Sequence, residues 1–244
     1  MSILTRRTIR RYSTREVSDE LLNELLTQAA RTQTMGNLQL YSVIVTRSQQ
    51  GKERLAPAHF HQPMVTQAPV VLTICADFRR TTEWALQRQA HPGYDNFLSF
   101  LNAATDALLY TQTLCCLAED AGLGLCYLGT TLYQPQPIIE ALQLPKLVFP
   151  VATITMGWPD EQPPLTDRLP TESFVHSETY HLPTPADIDR YYGPKEALPE
   201  NQEFVRQNKT ATLAQIFTDI RYKQSDNETM SSLLHDALTA QGFL

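Results

Sequence analysis

The chain has 244 residues, of which 42% are hydrophobic and 19% charged, an ordinary globular usage that excludes wholesale disorder and a long coiled coil. Lys and Arg number 20 against 26 Asp and Glu, a formal net charge of −6 that disfavours nonspecific attraction to nucleic acid or an anionic membrane. Against that balance, Arg6, Arg7, Arg10, Arg11 and Arg15 crowd the first 15 residues with no acid among them. No apolar run after Met1–Thr5 reads as a signal peptide. The strongly apolar stretch Val70–Ala76 falls far short of the roughly 20 residues a bilayer span requires. Cys75, Cys115, Cys116 and Cys126 lie in apolar segments without a C-x-x-C pair, which predicts buried free thiols in a reducing cytoplasm.

Ser18 precedes Asp19, Glu20 and an apolar face of Leu21, Leu22, Leu25, Leu26, Ala29 and Ala30, which predicts a capped helix over about 18–31. Leu40–Thr46 and Pro69–Asp77 read as strands from their β-branched content. Phe97–Ala121 is apolar on nearly every side, with Asp106 its only charge before Glu119, and reads as a helix buried almost all round. Gly122 and Gly124 end it. Leu125–Thr130 reads as a short strand and turn, Pro135–Leu142 as a short helix and Leu147–Met156 as a strand closed by Gly157, Trp158 and Pro159. Of the 16 prolines, 12 fall between Pro135 and Pro199; from Pro159 onward they predict an extended arm. Helices over about Asn201–Tyr222 and Asn227–Gln241 finish a chain in which strands and helices alternate in an α+β or α/β pattern.

No phosphate-binding G-x-x-x-x-G-K-[ST], G-x-S-x-G, H-E-x-x-H or G-x-G-x-x-G motif is present. The histidines His59, His61, His91, His176, His181 and His235 lack a carboxylate or thiolate cluster and read as solvated loop residues, with no metal expected. The positive signal is Arg6-Arg7-Thr8-Ile9-Arg10-Arg11-Tyr12: guanidinium forks beside a hydroxyl suit a phosphate, although a charge run by itself also describes a solvated basic face.

That run, the helix after it, and Thr34-Met35-Gly36-Asn37-Leu38-Gln39 leading into a strand resemble the start of the nitroreductase family of FMN-dependent NAD(P)H oxidoreductases. Gln62, Gln67-Ala68-Pro69, Ala121-Gly122-Leu123-Gly124, Tyr127-Leu128-Gly129, Met156-Gly157-Trp158-Pro159 and Arg168 follow in the family's order over residues 3–170, and the tail around Phe174 and Tyr180 resembles its NADPH-preferring branch. The resemblance implies an α+β fold with a central, mostly antiparallel sheet flanked by helices, a long buried interface helix and an extended C-terminal arm. Residues 1–160 would form the FMN-binding core, and 161–244 would complete the same domain and its homodimer. It further implies that Arg6, Arg168 and Thr8 bind the FMN phosphate with Arg7 nearby, that Arg10 approaches the N1/O2 edge, and that Gln62 bonds the pyrimidine edge. Tyr127, Leu128 and Gly129 would lie along the ring, while Thr34, Met35, Asn37 and Gln39 would reach in from the partner subunit. NADPH or NADH would donate a hydride through FMN N5 to nitroaromatic, quinone or flavin acceptors by a ping-pong mechanism, with no side chain assigned as catalytic and no nucleic-acid or membrane partner.

The chain departs from the family where Gln33-Thr34-Met35 replaces the common Pro-Ser-Ser, and where Thr166 and Asp167 precede Arg168 without the frequent Lys. A non-catalytic flavin or phospholigand-binding protein and a same-fold flavin dehydrogenase or dehalogenase are the alternative readings.

Overall fold

The computed structural model describes residues 3–244; Met1 and Ser2, at the head of the expected core, lie outside them. Its strands are β1 (Tyr41–Thr46), β2 (Val70–Asp77), β3 (Gly124–Leu128) and β4 (Val148–Gly157). The helices are α1 (Asp19–Ala29), α2 (Gln49–Leu55), α3 (Pro63–Gln67), α4 (Arg79–Gln87), α5 (Phe97–Asp120), α6 (Pro135–Leu142), α7 (Pro185–Glu196), α8 (Pro199–Asn208), α9 (Leu213–Gln215) and α10 (Gln224–Gln241). The strands form one antiparallel sheet in the order β1-β2-β4-β3, as expected for the α+β class.

Burial explains the order. Every residue of β2 and of β4 is buried, as continuous apolar runs must be when helices cover both faces of a sheet. They take the centre, with Val70 opposite Met156 and Asp77 opposite Val148. The edges fall to β1 and to β3, whose Tyr127 is exposed. Phe100 of α5 meets Phe149 of β4 and Phe243 at ring-centroid distances of 5.3 and 5.5 Å. The C-terminus is held there by Gln241, whose amide donates to the carbonyl of Val148 at 2.8 Å.

The chain divides into two compact units, one of residues up to Pro164 with Met230–Leu244, the other Leu165–Thr229. In the second unit Thr184 and Asp187 form a capping box at the start of α7, and Lys195 pairs with Asp167 at 2.8 Å. The extended arm is therefore more helical than its prolines suggested, because Pro185 and Pro199 sit in the first turns of α7 and α8, where a missing N–H costs nothing. The helix expected over Asn201–Tyr222 is interrupted: α8 ends at Lys209 in a left-handed conformation, and α9 runs into a π-helical turn at Ile216–Arg221. Three short helices, α2, α3 and α4, lie in stretches the periodicity left unassigned.

Two further expectations are corrected. Helix α5 is buried on one side only within a single chain: Ala103, Asp106, Ala107, Tyr110 and Leu114 face the core, whereas Leu98, Leu101, Leu108 and Leu109 are exposed. Of the cysteines, all free, Cys116 is only half-buried.

Edge strand β3 is covered by the arginine-bearing segment. Thr8 bridges to Leu125 in parallel, and Ile9 N–H donates to the Leu125 carbonyl at 2.9 Å. The approach requires Gly124, because a Cβ there would meet Ile9 Cβ and Cγ1 at 2.7 Å. Gly124→Ala should therefore lower stability by about 1–3 kcal/mol through overpacking, read by urea denaturation.

Candidate functional site

The arginine segment is pinned at several points. Tyr12 Oη lies 2.7 Å from Thr155 Oγ1 and donates to the Ile9 carbonyl at 2.8 Å. Glu161 Oε1 accepts the backbone N–H groups of Arg10 at 2.5 Å and Arg11 at 2.9 Å, and its Oε2 accepts Arg11 Nε at 3.2 Å. These donors, Arg10's backbone first, hold the Glu161 carboxyl below the usual carboxylate range.

The arginines themselves part company. Arg6 Nε lies 3.3 Å from Oε1 of Glu119, a buried acid near the end of α5; burial raises the Glu119 carboxyl and Arg6 opposes that rise. Arg7 donates from Nε to the Pro163 carbonyl at 2.7 Å and from Nη1 to Thr5 at 3.0 Å. With Ile9, Glu119 and Glu161 it lines a cavity of about 300 Å³ that does not include Arg10. Arg10 is exposed, and its charge opposes the rise that burial gives the Cys126 thiol of β3.

Beyond β3 the chain turns through Gly129–Leu132. Leu128 is buried beside Leu55, Val65 and Ile138, Tyr127 is exposed, and nothing lies within 4 Å of where a Cβ on Gly129 would sit. His59 ties this turn to the Gln62 loop, its Nδ1 lying 2.8 Å from Thr130 Oγ1. Phe60 and His61 follow at φ 53° and 52°, a left-handed pair that non-glycine residues adopt only when their surroundings impose it. They deliver Gln62, half-buried, to the start of α3. His59 is fully buried, correcting its reading as a solvated histidine, and burial lowers its pKa to about 4.

Thr34, Met35, Asn37 and Gln39 lie elsewhere, in the loop that enters β1 at the opposite edge of the sheet. The buried carboxylate of Asp106 holds them: its Oδ2 accepts the Thr34 hydroxyl at 2.5 Å and Leu40 N–H at 3.2 Å, and its Oδ1 accepts Met35 N–H at 2.9 Å. Asp106 and Glu119 stand thirteen residues apart on one continuous helix, about 20 Å along its axis. A single chain therefore gathers Arg6, Thr8, Arg10, Gln62, Tyr127, Leu128 and Gly129 around β3 and keeps the 34–40 loop away from them. Arg168 lies in the second unit, where its Nη1 donates to Thr166 Oγ1 at 2.7 Å and the Asp167 carbonyl at 2.8 Å.

Periodicity and motif spacing missed Glu119, Glu161 and His59 as organising residues. The signal for Asp106 and Glu119 was present, since an acid in an otherwise apolar helix requires a donor to receive it. Glu161 and His59 act across the fold and left no local trace. Among the described residues no group of His, Cys, Asp and Glu is placed to hold a metal, and no helix is long and apolar enough to cross a membrane.

Residues 3–158 match the model of the nitroreductase family. The chain is 34% identical over 182 residues to an FMN reductase [NAD(P)H] of Bacillus subtilis (strain 168), covering 73% of each. It is 32% identical over 174 residues to an oxygen-insensitive NADPH nitroreductase of Salmonella typhimurium, covering 71% of each. A crystal structure from Bacteroides fragilis NCTC 9343 superposes with a TM-score of 0.98 at 56% identity, covering 99% of this chain and 98% of that one.

Because His59 is neutral in the fold down to about pH 4 but takes up a proton near its ordinary 6.5 when unfolded, its contribution is intact above pH 6.5. It is lost progressively as pH falls toward 4, by about 3 kcal/mol in all. Urea unfolding across that range should show this loss in the wild type, and the share should vanish from the slope in His59→Gln.

Proposed function

The chain belongs to the nitroreductase family, and from that premise we propose that it is an FMN-dependent oxidoreductase that takes a hydride from NADPH or NADH and delivers it to a flat, electron-poor aromatic acceptor. The observation that carries this reading is the arginine segment laid along β3 beside the open Gly129 turn. The residues fit FMN: a phosphate finds Arg6 and the Thr8 hydroxyl on one strand, a planar ring finds clear space over Gly129, and Gln62 is held close by the His59–Thr130 contact.

In this reading Arg6 and Thr8 hold the phosphate, with Arg7 nearby and Arg168 assigned to it by resemblance alone. FMN bound by these residues would supply two-electron hydride chemistry. Arg10 provides a fixed positive charge at the pyrimidine edge, where negative charge gathers on reduction. Gln62 fixes that edge by hydrogen bonding, while Tyr127, Leu128 and Gly129 form the wall along the ring. Donor and acceptor occupy the same face in turn, a ping-pong order that needs no separate dinucleotide fold. The rate then comes from proximity and orientation rather than a strong acid or base.

The separation of the 34–40 loop from the β3 site supports a homodimer. Two copies of α5 packed through Leu98, Leu101, Leu108 and Leu109 would bring the loop of one chain, with Thr34, Met35, Asn37 and Gln39, to the β3 site of the other. The exposed stripe has the spacing of a helix–helix contact. Free cysteines, three of them buried, suit the cytoplasm.

Purified protein should be yellow and should oxidise NADPH when a quinone or nitroaromatic is added; a protein that retains FMN yet leaves it oxidised under anaerobic NADPH would be a binding module instead. Arg6→Ala should weaken FMN binding about tenfold or more, the loss of a charge-assisted bond, whereas Arg10→Ala should chiefly slow bleaching of the flavin by NADPH in anaerobic stopped flow. Leu109→Asp should convert the dimer to monomer in sedimentation and release FMN.

A further inference from the structure

We infer that Asp106 is a positioning residue for the cofactor site: a buried carboxylate that fixes the 34–40 loop so that its outward side chains are set before the ligand arrives. What the loop touches rests on the flavin reading above; that Asp106 shapes it rests on geometry alone. Asp106 is 2% exposed, and the positions around it on the same face of α5 are Ala103, Ala107 and Tyr110. An apolar residue would fill that place without the cost of burying a charge. Its hydrogen bonds from Thr34 Oγ1, Met35 N and Leu40 N join the two ends of the loop to one group.

The loop also turns on itself through Asp106. The Thr34 hydroxyl that donates to the carboxylate accepts Gln39 N–H at 2.8 Å, so one oxygen relays the carboxylate's hold to the Gln39 backbone. Gly36, Asn37 and Gln39 have φ of 55°, 56° and 53°. For Asn37 and Gln39 this is an uncommon conformation that persists only when the surroundings over-determine it. From the other side Arg80 donates to the carbonyls of Gln39 and Tyr41. The result is a rigid arch with a buried base and with Met35, Asn37 and Gln39 exposed. Rigidity of this kind raises affinity by removing the ordering cost of binding.

Asp106→Asn keeps one acceptor oxygen but turns an amide donor toward partners that are themselves donors. Hydrogen exchange on the apoprotein should quicken at least tenfold over residues 34–40 in this variant while β2 and β4 are unchanged. FMN affinity, measured by fluorescence quenching well below the melting temperature, should fall at least tenfold although Asp106 does not reach the surface. Thr34→Val removes the relay without a buried charge and should quicken exchange at Gln39, and Thr34→Ser should restore it. Unchanged exchange over 34–40 in Asp106→Asn, or quicker exchange with FMN affinity intact, overturns the proposal. Should Asp106→Asn fail to fold, unchanged exchange in Thr34→Val does so. A wild-type protein that binds no FMN would defeat the flavin reading by itself, and the exchange comparison would still decide whether Asp106 holds the loop.

Discussion

The arrangement of this protein depends on two buried carboxylates on one helix. Asp106 and Glu119 belong to α5, and each receives a different part of the chain: Asp106 the loop before β1, Glu119 the guanidinium of Arg6. A helix is stiff over this length, so the separation of its two acids becomes the separation of the two parts they hold, about 20 Å. The loop's donors offset the burial of Asp106, and the charge of Arg6 offsets that of Glu119. Sheet, loop and arginine segment are thus measured against a single rod.

From that constraint the logic of a shared site follows. The rod buries one side against β2 and leaves leucines along the other. In the homodimer proposed above, a twofold pairing through those leucines would run two rods past one another, and the loop end of each would then meet the arginine end of its neighbour. The same residues that make α5 read as apolar all round would give it its second buried side. An isologous contact of this kind repeats its interactions, so it would complete two sites at once.

Much of the framework was legible because its signals are local. The apolar runs of β2 and β4, the Ser18 cap of α1, whose Oγ accepts Leu21 N–H at 3.2 Å, and the glycines after α5 announce themselves within a few residues. So does the spacing of Arg6, Thr8 and Arg10. What escaped was short or distant. Helices α2, α3 and α4 are only 7, 5 and 9 residues long, too brief for a periodicity to declare itself. Glu161 lies 151 positions from the Arg10 N–H it accepts, and His59 is 71 positions from Thr130. Contacts over such distances arise from the fold and have no pattern in the chain. The proline-rich arm misled for a different reason: proline is at home in the first turn of a helix, where Pro185 and Pro199 sit, and Pro194 lies so near the end of α7 that the helix still runs to Glu196.

The block of arginines in an acidic protein is resolved by the same geometry. Arg6 faces Glu119, Arg11 faces Glu161, Arg7 is spent on the carbonyls of Thr5 and Pro163, and Arg15 lies 3.5 Å over the ring of Trp158. The cluster is therefore largely matched within the fold, which is why it forms no basic surface for a polyanion. Arg10 differs: it is exposed, its backbone is held by Glu161, and its charge is felt by Cys126 of β3. The pairs Arg6–Glu119 and Arg11–Glu161 help hold the segment against β3, and Arg10 rides on it exposed; in the flavin reading Arg6 would in addition meet the phosphate. In the flavin reading proposed above, a positive charge whose backbone is already fixed by folding would stabilise negative charge formed beside it without a further ordering cost. The local excess of arginine thus has a scaffold function, set by acids 100 and more residues away, and it leaves Arg10 exposed for the chemical role proposed above.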